Sequence, residues 1–599
     1  MNAITNVVVL MLENRSYDNV LGALSLQTGP AVPSGQKHLN GLTGKESNPG
    51  DGTIVVHFTS DPVQIGGTGP AYAPTCLPLI DPGEPFSDMA EQFLGAPQTS
   101  NPYTNYPPAD TSHLMQGFVN NYATKSSKPS VPKQNVPDIM NYLTPEQLPV
   151  MTFLARHFAV CDEWFASVPT QTFANRTFAV LAAPAVEQKL KGLKKEPDGP
   201  PYSYIDDKQY APLPDEKRVA STSIYQRLDE SYPEGNDSAT APNWRIYFHD
   251  YPINLLADPY AFEKSRSDSN ENICLFDSTD YNGHKPLFLK KVPAATFVSD
   301  AQGGTLPKFS FIEPRYNMHT NERNGNAGDL LPNCDHPGQG NIPFPVVTAP
   351  SAAVNAPIDA ASGELLLLQV YNLLRSNEKQ WPTTLFIVTF DEPGGTYDHV
   401  PPRLATPPGS KFPPAQYPKG DSVADGFNFN VFGGRVPAII ISPQIEEGTT
   451  IRATRPLDAV VQAPFDHTSI IATVFNAFGL PPLTDRDAAA PNLIQFCTSS
   501  NTTGLFSGKI VCAPSALVFR GTATVMMFAS AGAPQLCASM SVQPPWLTAF
   551  TPAWNANTNM LTIVVSVDAS GVSGLQTATF EVSGDNLACV AVTVTLDPS

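Results

Sequence analysis

Leu385-Phe386-Ile387-Val388-Thr389-Phe390, followed without a break by Asp391-Glu392-Pro393-Gly394-Gly395-Thr396-Tyr397-Asp398-His399, is the stretch whose reading decides the fold. An uninterrupted run of β-branched and aromatic residues reads as a strand buried on both faces. Such a strand needs helices above and below it, which points to a parallel α/β sheet. Two acids arrive where the strand should end, and Gly-Gly then lets the backbone turn sharply. Ligands of open α/β sheets bind beyond the carboxyl ends of the strands, so these carboxylates suggest a metal or phosphate site. Alone, the stretch reads equally as a solvated acidic loop, and the rest of the chain must decide.

Residues 6–12, Asn-Val-Val-Val-Leu-Met-Leu, have the same form and end in Glu13-Asn14-Arg15. A carboxylate and an amide oxygen are hard donors suited to a divalent cation. If Glu13-Asn14 and Asp391-Glu392 are halves of one ligand set, their strands lie side by side. Asn14-Arg15-Ser16 is also a formal glycosylation sequon, a use that placement in a site would exclude. Around Pro169 the chain turns and enters a helix running through Val180. A hydroxyl there is ordinarily an N-cap, but free N–H groups and the helix dipole also favour phosphate. Thr170 and Thr172 are the candidates. Asp335-His336-Pro337 falls in a Gly/Asn-rich loop, where a His beside Asp ordinarily just faces solvent.

Further strands are expected over 244–249, 309–316 and 435–443, and a short helix with a capping acid over 84–94. Helical spacing runs through 138–161, and residues 363–374 form an amphipathic helix placed as a βαβ crossover. A helix should start near Phe465 with Asp466 as its cap. Residues 23–136 read as long excursions over the ligand face, and the charged, Pro-rich 187–220 as a surface insertion. Past Phe496 the helical patterns stop and period-two alternation takes over, as in Met560-Leu561-Thr562-Ile563-Val564-Val565. That predicts a β-sandwich over about 510–599 after an α/β domain over 1–500.

A chain of 599 residues has ample material for a large core. Its net charge of −19 leaves no basic block to neutralise nucleic-acid phosphates or to anchor at a membrane, though it does not forbid transient contact with a lipid surface. No apolar run approaches the ~20 residues of a membrane span, and residues 1–6 lack the basic and apolar regions of a secretory signal. The eight cysteines include no C-x-x-C pair. Cys497, Cys512, Cys537 and Cys589 could form one or two disulfides in an oxidising compartment, or remain buried thiols.

Taken in order, ENRSYDNVLG (13–22), SVPTQTFANR (167–176), SFIEPRY (310–316), DHP (335–337), DEPGGTYDHVPP (391–402) and FDHTSI (465–470) resemble the phosphoesterase family of non-specific phospholipases C and related acid phosphatases, within the alkaline-phosphatase-like superfamily. The resemblance implies a doubly wound, mostly parallel sheet with helices on both faces, holding one divalent metal ion on Glu13, Asn14, Asp391 and Glu392. Thr172 would be the nucleophile and a further ligand, and His336 would contact phosphate and protonate the leaving group. His399, Asn175 and Asp398 would support the ligands from outside or bind phosphate. The chain departs from the family at Pro393, at Thr170-Gln171 and Ala174, and at Asp81-Pro82-Gly83-Glu84, where Glu84 is expected to take over a histidine's proton-donor role. Oxygen ligands favour Ca²⁺, Mg²⁺ or Mn²⁺, with Zn²⁺ or iron open. The expected reaction is phospholipid cleavage between glycerol and phosphate through a phosphothreonine. Alternatives are phosphatase action on soluble monoesters and a binding protein with a decayed site. The family and composition point to a secreted or periplasmic protein, while the missing signal leaves a removed leader, another export route or residence in the cell.

Overall fold

The computed structural model describes residues 3–597 apart from 126–129, 188–202, 211–217, 220–221, 234–241, 279, 281–285, 287, 317–328, 331, 339–356, 417–421, 453–463, 505, 507–509, 514–515, 521–522, 532–534, 557–558 and 586. Much of the expected 187–220 insertion and of the loop before Asp335 lies outside the described residues.

Eight strands build the main sheet: β1 Asn6–Leu12, β2 Ala159–Cys161, β3 Trp244–Phe248, β4 Ile273–Leu275, β5 Phe309–Glu313, β6 Thr384–Phe390, β7 Ala438–Ile441 and β8 Thr449–Ile451. Their order is β4-β3-β5-β1-β6-β7-β2-β8, and all run parallel except β7. Every residue of β1 and β6 is buried, as their unbroken apolar runs require. The two pair directly, Asn6 opposite Thr384 and Leu12 opposite Phe390, so Glu13 and Asp391 leave the sheet side by side. That is the arrangement a shared ligand set demands.

Two groups of helices cover the sheet. In one, α3 (Thr172–Leu181) packs on α5 (Thr468–Phe478). In the other, α2 (Pro149–His157) packs on α4 (Ala361–Ser376). A short helix, α1 (Phe86–Leu94), starts at Pro85 without a side-chain cap, so the expected capping acid is absent. The helical spacing over 138–161 splits into a 3₁₀ segment, Lys133–Met140, and α2, because Pro149 can only open a helix. Glu364 of α4 accepts from the first free amides of α2, Val150 N at 2.5 Å and Met151 N at 2.9 Å. Asp466 does not cap α5. It takes Ser167 Oγ at 2.8 Å, Thr468 Oγ1 at 2.5 Å and Arg486 Nε at 3.2 Å.

The C-terminal strands are β9 Val511–Ala513, β10 Ala516–Arg520, β11 Ala523–Ser530, β12 Leu536–Ser539, β13 Leu547–Asn555, β14 Met560–Val567, β15 Gln576–Gly584 and β16 Val590–Asp597. They form two sheets, β10-β16-β15-β12 and β11-β14-β13 with β9 on β11. Strand β14 alternates buried and half-buried residues along its whole length, as its sequence does. All eight cysteines are free thiols, and Cys537 and Cys589 are exposed. Of the two readings open for the last four, free thiols hold, with Cys497 and Cys512 buried.

Candidate active site

Four segments meet beyond the carboxyl ends of β1 and β6. Asn14 takes a positive φ of 59°, a conformation Asn tolerates better than most residues. This turns its backbone toward Asp391, whose Oδ1 accepts from Asn14 N at 3.1 Å and from Glu392 N at 2.7 Å. The Asn14 amide then spans the site. Its Nδ2 lies 2.6 Å from Glu84 Oε1, 3.1 Å from Glu392 Oε1 and 3.0 Å from His336 Nε2. His336 Nδ1 lies 2.7 Å from Pro337 O, to which it donates, leaving Nε2 to face Asn14 and Glu84, the latter at 3.6 Å. One amide has two protons for these three acceptors, so it cannot satisfy all of them at once.

Gly394 makes the close approach of the two loops achievable. It has φ 58°, its N–H donates to Glu392 Oε2 at 2.8 Å, and a Cβ there would lie 1.9 Å from Asn14 O. Gly394→Ala is therefore expected to destabilise the fold by about 3 kcal/mol and to reduce kcat/KM by about tenfold or more as Asn14 shifts. Thermal melts and steady-state kinetics of the variant check both. Pro393 completes the turn, its carbonyl accepting from Thr396 N at 3.1 Å and Thr396 Oγ1 at 2.7 Å.

Helix α3 brings in the hydroxyl. Thr172 Oγ1 lies 3.3 Å from Glu13 Oε2 and 3.5 Å from Asn14 Oδ1. Thr172 is not the N-cap, since Gln171 precedes the helix and Asp207 Oδ1 accepts from Phe173 N at 2.9 Å. Thr170 turns away to Ile205 O at 2.9 Å. Four residues after Thr172, on the same helical face, the guanidinium of Arg176 reaches three carboxylates: Glu13 Oε1 at 2.6 Å, Glu313 Oε2 at 2.8 Å and Asp391 Oδ2 at 3.2 Å. Tyr316 OH donates to the same Glu313 oxygen.

Negative charge exceeds positive here. Burial holds the Glu13, Glu84 and Glu392 carboxyls well above the usual range. Asp391 adds to this at Glu13, Asp81 at Glu84, and Glu84 and Asp391 at Glu392, while Arg176 pulls Glu13 partly back. Burial likewise pushes Asp207 up to about 8. Burial lowers His467 below its ordinary value. Trp164 Nε1 donates to its Nδ1 at 3.3 Å, so its Nε2–H donates to Asp391 O at 2.5 Å.

Glu13, Asn14, Glu84, Thr172, His336, Asp391 and Glu392 are thus brought together. The remaining three sit outside. Asn175 shapes the turn before α3: its Oδ1 accepts from Val168 N at 3.0 Å and its Nδ2 donates to Thr170 O at 2.7 Å. Asp398 Oδ1 binds Arg435 at 3.0 Å. His399 turns to Asp18 rather than to the ligands it is expected to support. Asp18, buried just past Asn14, takes its Nδ1 at 2.6 Å and its backbone N–H at 2.8 Å, and Asn40 Oδ1 lies 3.3 Å from its Nε2. Burial alone would lower His399, and Asp18 raises it overall. Asp18, Asp398 and His399 have the spacing of cation ligands, but Arg435 already supplies the charge, 3.1 Å from Asp18. Sequence reasoning missed Arg176, Glu313 and Asp207. The i, i+4 spacing of Thr172 and Arg176 was the available signal for the first.

The model of the Phosphoesterase family matches residues 4–481. Non-specific phospholipase C1 of Arabidopsis thaliana is 30% identical over 495 residues, covering 81% of this chain and 69% of that protein. Non-specific phospholipase C6 of the same plant is 29% identical over 498 residues, covering 81% and 71%. Phospholipase C B of Mycobacterium tuberculosis (strain ATCC 25618 / H37Rv) is 27% identical over 497 residues, covering 80% and 74%. The chain belongs to the Phosphoesterase family and is a hydrolase of phosphoric esters.

Proposed function

We propose that the chain is a metal-dependent phospholipase C, cleaving a phospholipid to diacylglycerol and a phosphorylated head group. The observation that carries this is the Thr172 hydroxyl set beside Glu13 and Asn14, with Asn14 in turn bonded to Asp391 and Glu392; the substrate class follows from the relatives. A divalent cation fits the donor set. Buried carboxyls held far above their usual range, with one guanidinium among them, have the electrostatics of a cation site. Glu13, Asn14 Oδ1, Thr172, Asp391 and Glu392 would hold it, and oxygen donors favour Ca²⁺, Mg²⁺ or Mn²⁺. When bound it would lower the pKa of the Thr172 hydroxyl and offset charge on the phosphoryl oxygens.

The Thr172 oxygen forms a bond to phosphorus as the bond from phosphorus to the glycerol oxygen breaks, and its proton passes to Glu13 Oε2. The departing oxygen takes a proton from the neighbouring Glu84–His336 pair, in which burial favours the protonated Glu84 carboxyl. Water then attacks the phosphothreonine, giving one proton to the Glu84–His336 pair. The bond from phosphorus to the Thr172 oxygen breaks and that oxygen takes its proton back from Glu13, freeing the phosphorylated head group. Arg176 fixes Glu13, Glu313 and Asp391 through its guanidinium.

Elemental analysis of the purified protein should find one divalent metal per chain. Its removal by chelator should abolish diacylglycerol release from phosphatidylcholine vesicles, and re-addition should restore it. Full turnover without metal would overturn the ligand assignment. Efficient release of inorganic phosphate from glycerol phosphate, with no diacylglycerol from lipid, would instead establish a monoester phosphatase.

A further inference from the structure

The strands from Val511 onward lie beyond the family match, yet they back both segments that carry the Glu84–His336 pair. In β10, Leu517 and Phe519 point into the sandwich core, while Val518 between them faces the other way. Val518 is buried against Tyr72, Cys76, Leu77 and Leu79, the segment that leads into Asp81-Pro82-Gly83-Glu84. In the other sheet, Asp329–Leu330 adds to β11 as a parallel strand, Asp329 opposite Val525 and Leu330 opposite Met526, and leads into Asp335-His336. From inside, Arg15 ties the same two segments together, Nη1 to Leu77 O at 2.8 Å and Nε to Asp335 O at 2.6 Å. The Gly338 N–H donates to Pro78 O at 3.1 Å. Glu84 and His336 come from long excursions rather than from strand ends, so their separation depends on what braces those excursions.

We propose that the C-terminal sandwich is an intramolecular clamp that sets the position of the Glu84–His336 pair. This rests on the reading of that pair as the proton donor to the leaving group. A glycerol oxygen departs as a poor leaving group and needs a proton, whereas p-nitrophenolate leaves without one. Sub-ångström loosening of a catalytic group is costly, so loosening the clamp should tell on the first kind of ester and spare the second.

The test places Val518→Asp, and the milder Val518→Ala, in the full chain. Two diesters with one head group serve as probes: soluble dihexanoylphosphatidylcholine and p-nitrophenylphosphorylcholine. Turnover of the lipid should fall about tenfold or more in Val518→Asp, and less in Val518→Ala, while the nitrophenyl ester stays within about twofold. Retained nitrophenyl turnover also reports a folded site. Equal losses on both esters would reduce the sandwich to general stabilisation and overturn the clamp, and so would no loss on either. His336→Ala in the same assay separates the two ideas. If it fails to favour the nitrophenyl ester, the proton-donor reading falls on its own account.

Discussion

Thr172→Ala is expected to lower turnover of phosphatidylcholine by on the order of 10⁴-fold, with KM little changed, because the proposed bond-forming atom is gone while the rest of the site remains. The structure gives the variant no reason to unfold. Thr172 Oγ1 makes only long contacts, 3.3 Å to Glu13 and 3.5 Å to Asn14, so the loss in stability should be about 1 kcal/mol. Helix α3 keeps Asn175 for its turn and Arg176 for its ion pairs. Thr172→Ser retains the oxygen and should keep turnover within about tenfold. Quenching wild-type enzyme during turnover should yield a phosphorylated peptide spanning Thr172, absent from the alanine variant. Full activity in Thr172→Ala would remove the residue from the mechanism and leave a directly attacking water as the nucleophile.

The strand ends that carry Glu13 and Asp391 were legible because burial on both faces leaves an unmistakable apolar run, and an acid after such a run has one direction to go. Their adjacency was expected from the ligand set that the family resemblance implies, and the pairing of β1 with β6 supplies it. Arg176 was not legible in the same way. Its role exists only where residues 13, 313 and 391 meet, and each neighbour is supplied by a different strand. His399 was misread because Asp18, which captures it, belongs to a helical turn that the motif alone does not place. In the sandwich, β14 declared itself by alternation. The strand β13 carries Pro552 and was passed over; it is an edge strand, where a missing N–H costs the ladder little.

Arg176→Met should be the most destabilising single change in the site. The guanidinium is fully buried and its three partners are too, so its removal leaves Glu13, Glu313 and Asp391 facing one another without a counter-charge. Removing one partner of a buried ion pair costs about 3–5 kcal/mol, and Arg176→Lys recovers little because one ammonium cannot reproduce a planar fork to three carboxylates. The loss should depend on pH. Burial holds Glu13 above its ordinary 4.5, and without Arg176 nothing of like charge opposes that rise. A carboxyl whose folded-state pKa is raised favours the folded state below its ordinary value and loses that contribution as pH climbs through the raised one. The variant should therefore be nearest to wild type near pH 4.5 and fall away steadily above it. Urea unfolding followed by fluorescence of buried Trp164 and Trp244 at several pH values measures this. On the proposed metal assignment, a saturating divalent cation should flatten the slope in both proteins, since it would meet the same carboxylates. A pH-independent loss would mean that Arg176 acts through packing against Tyr316, whose ring lies 5.6 Å away, rather than through charge.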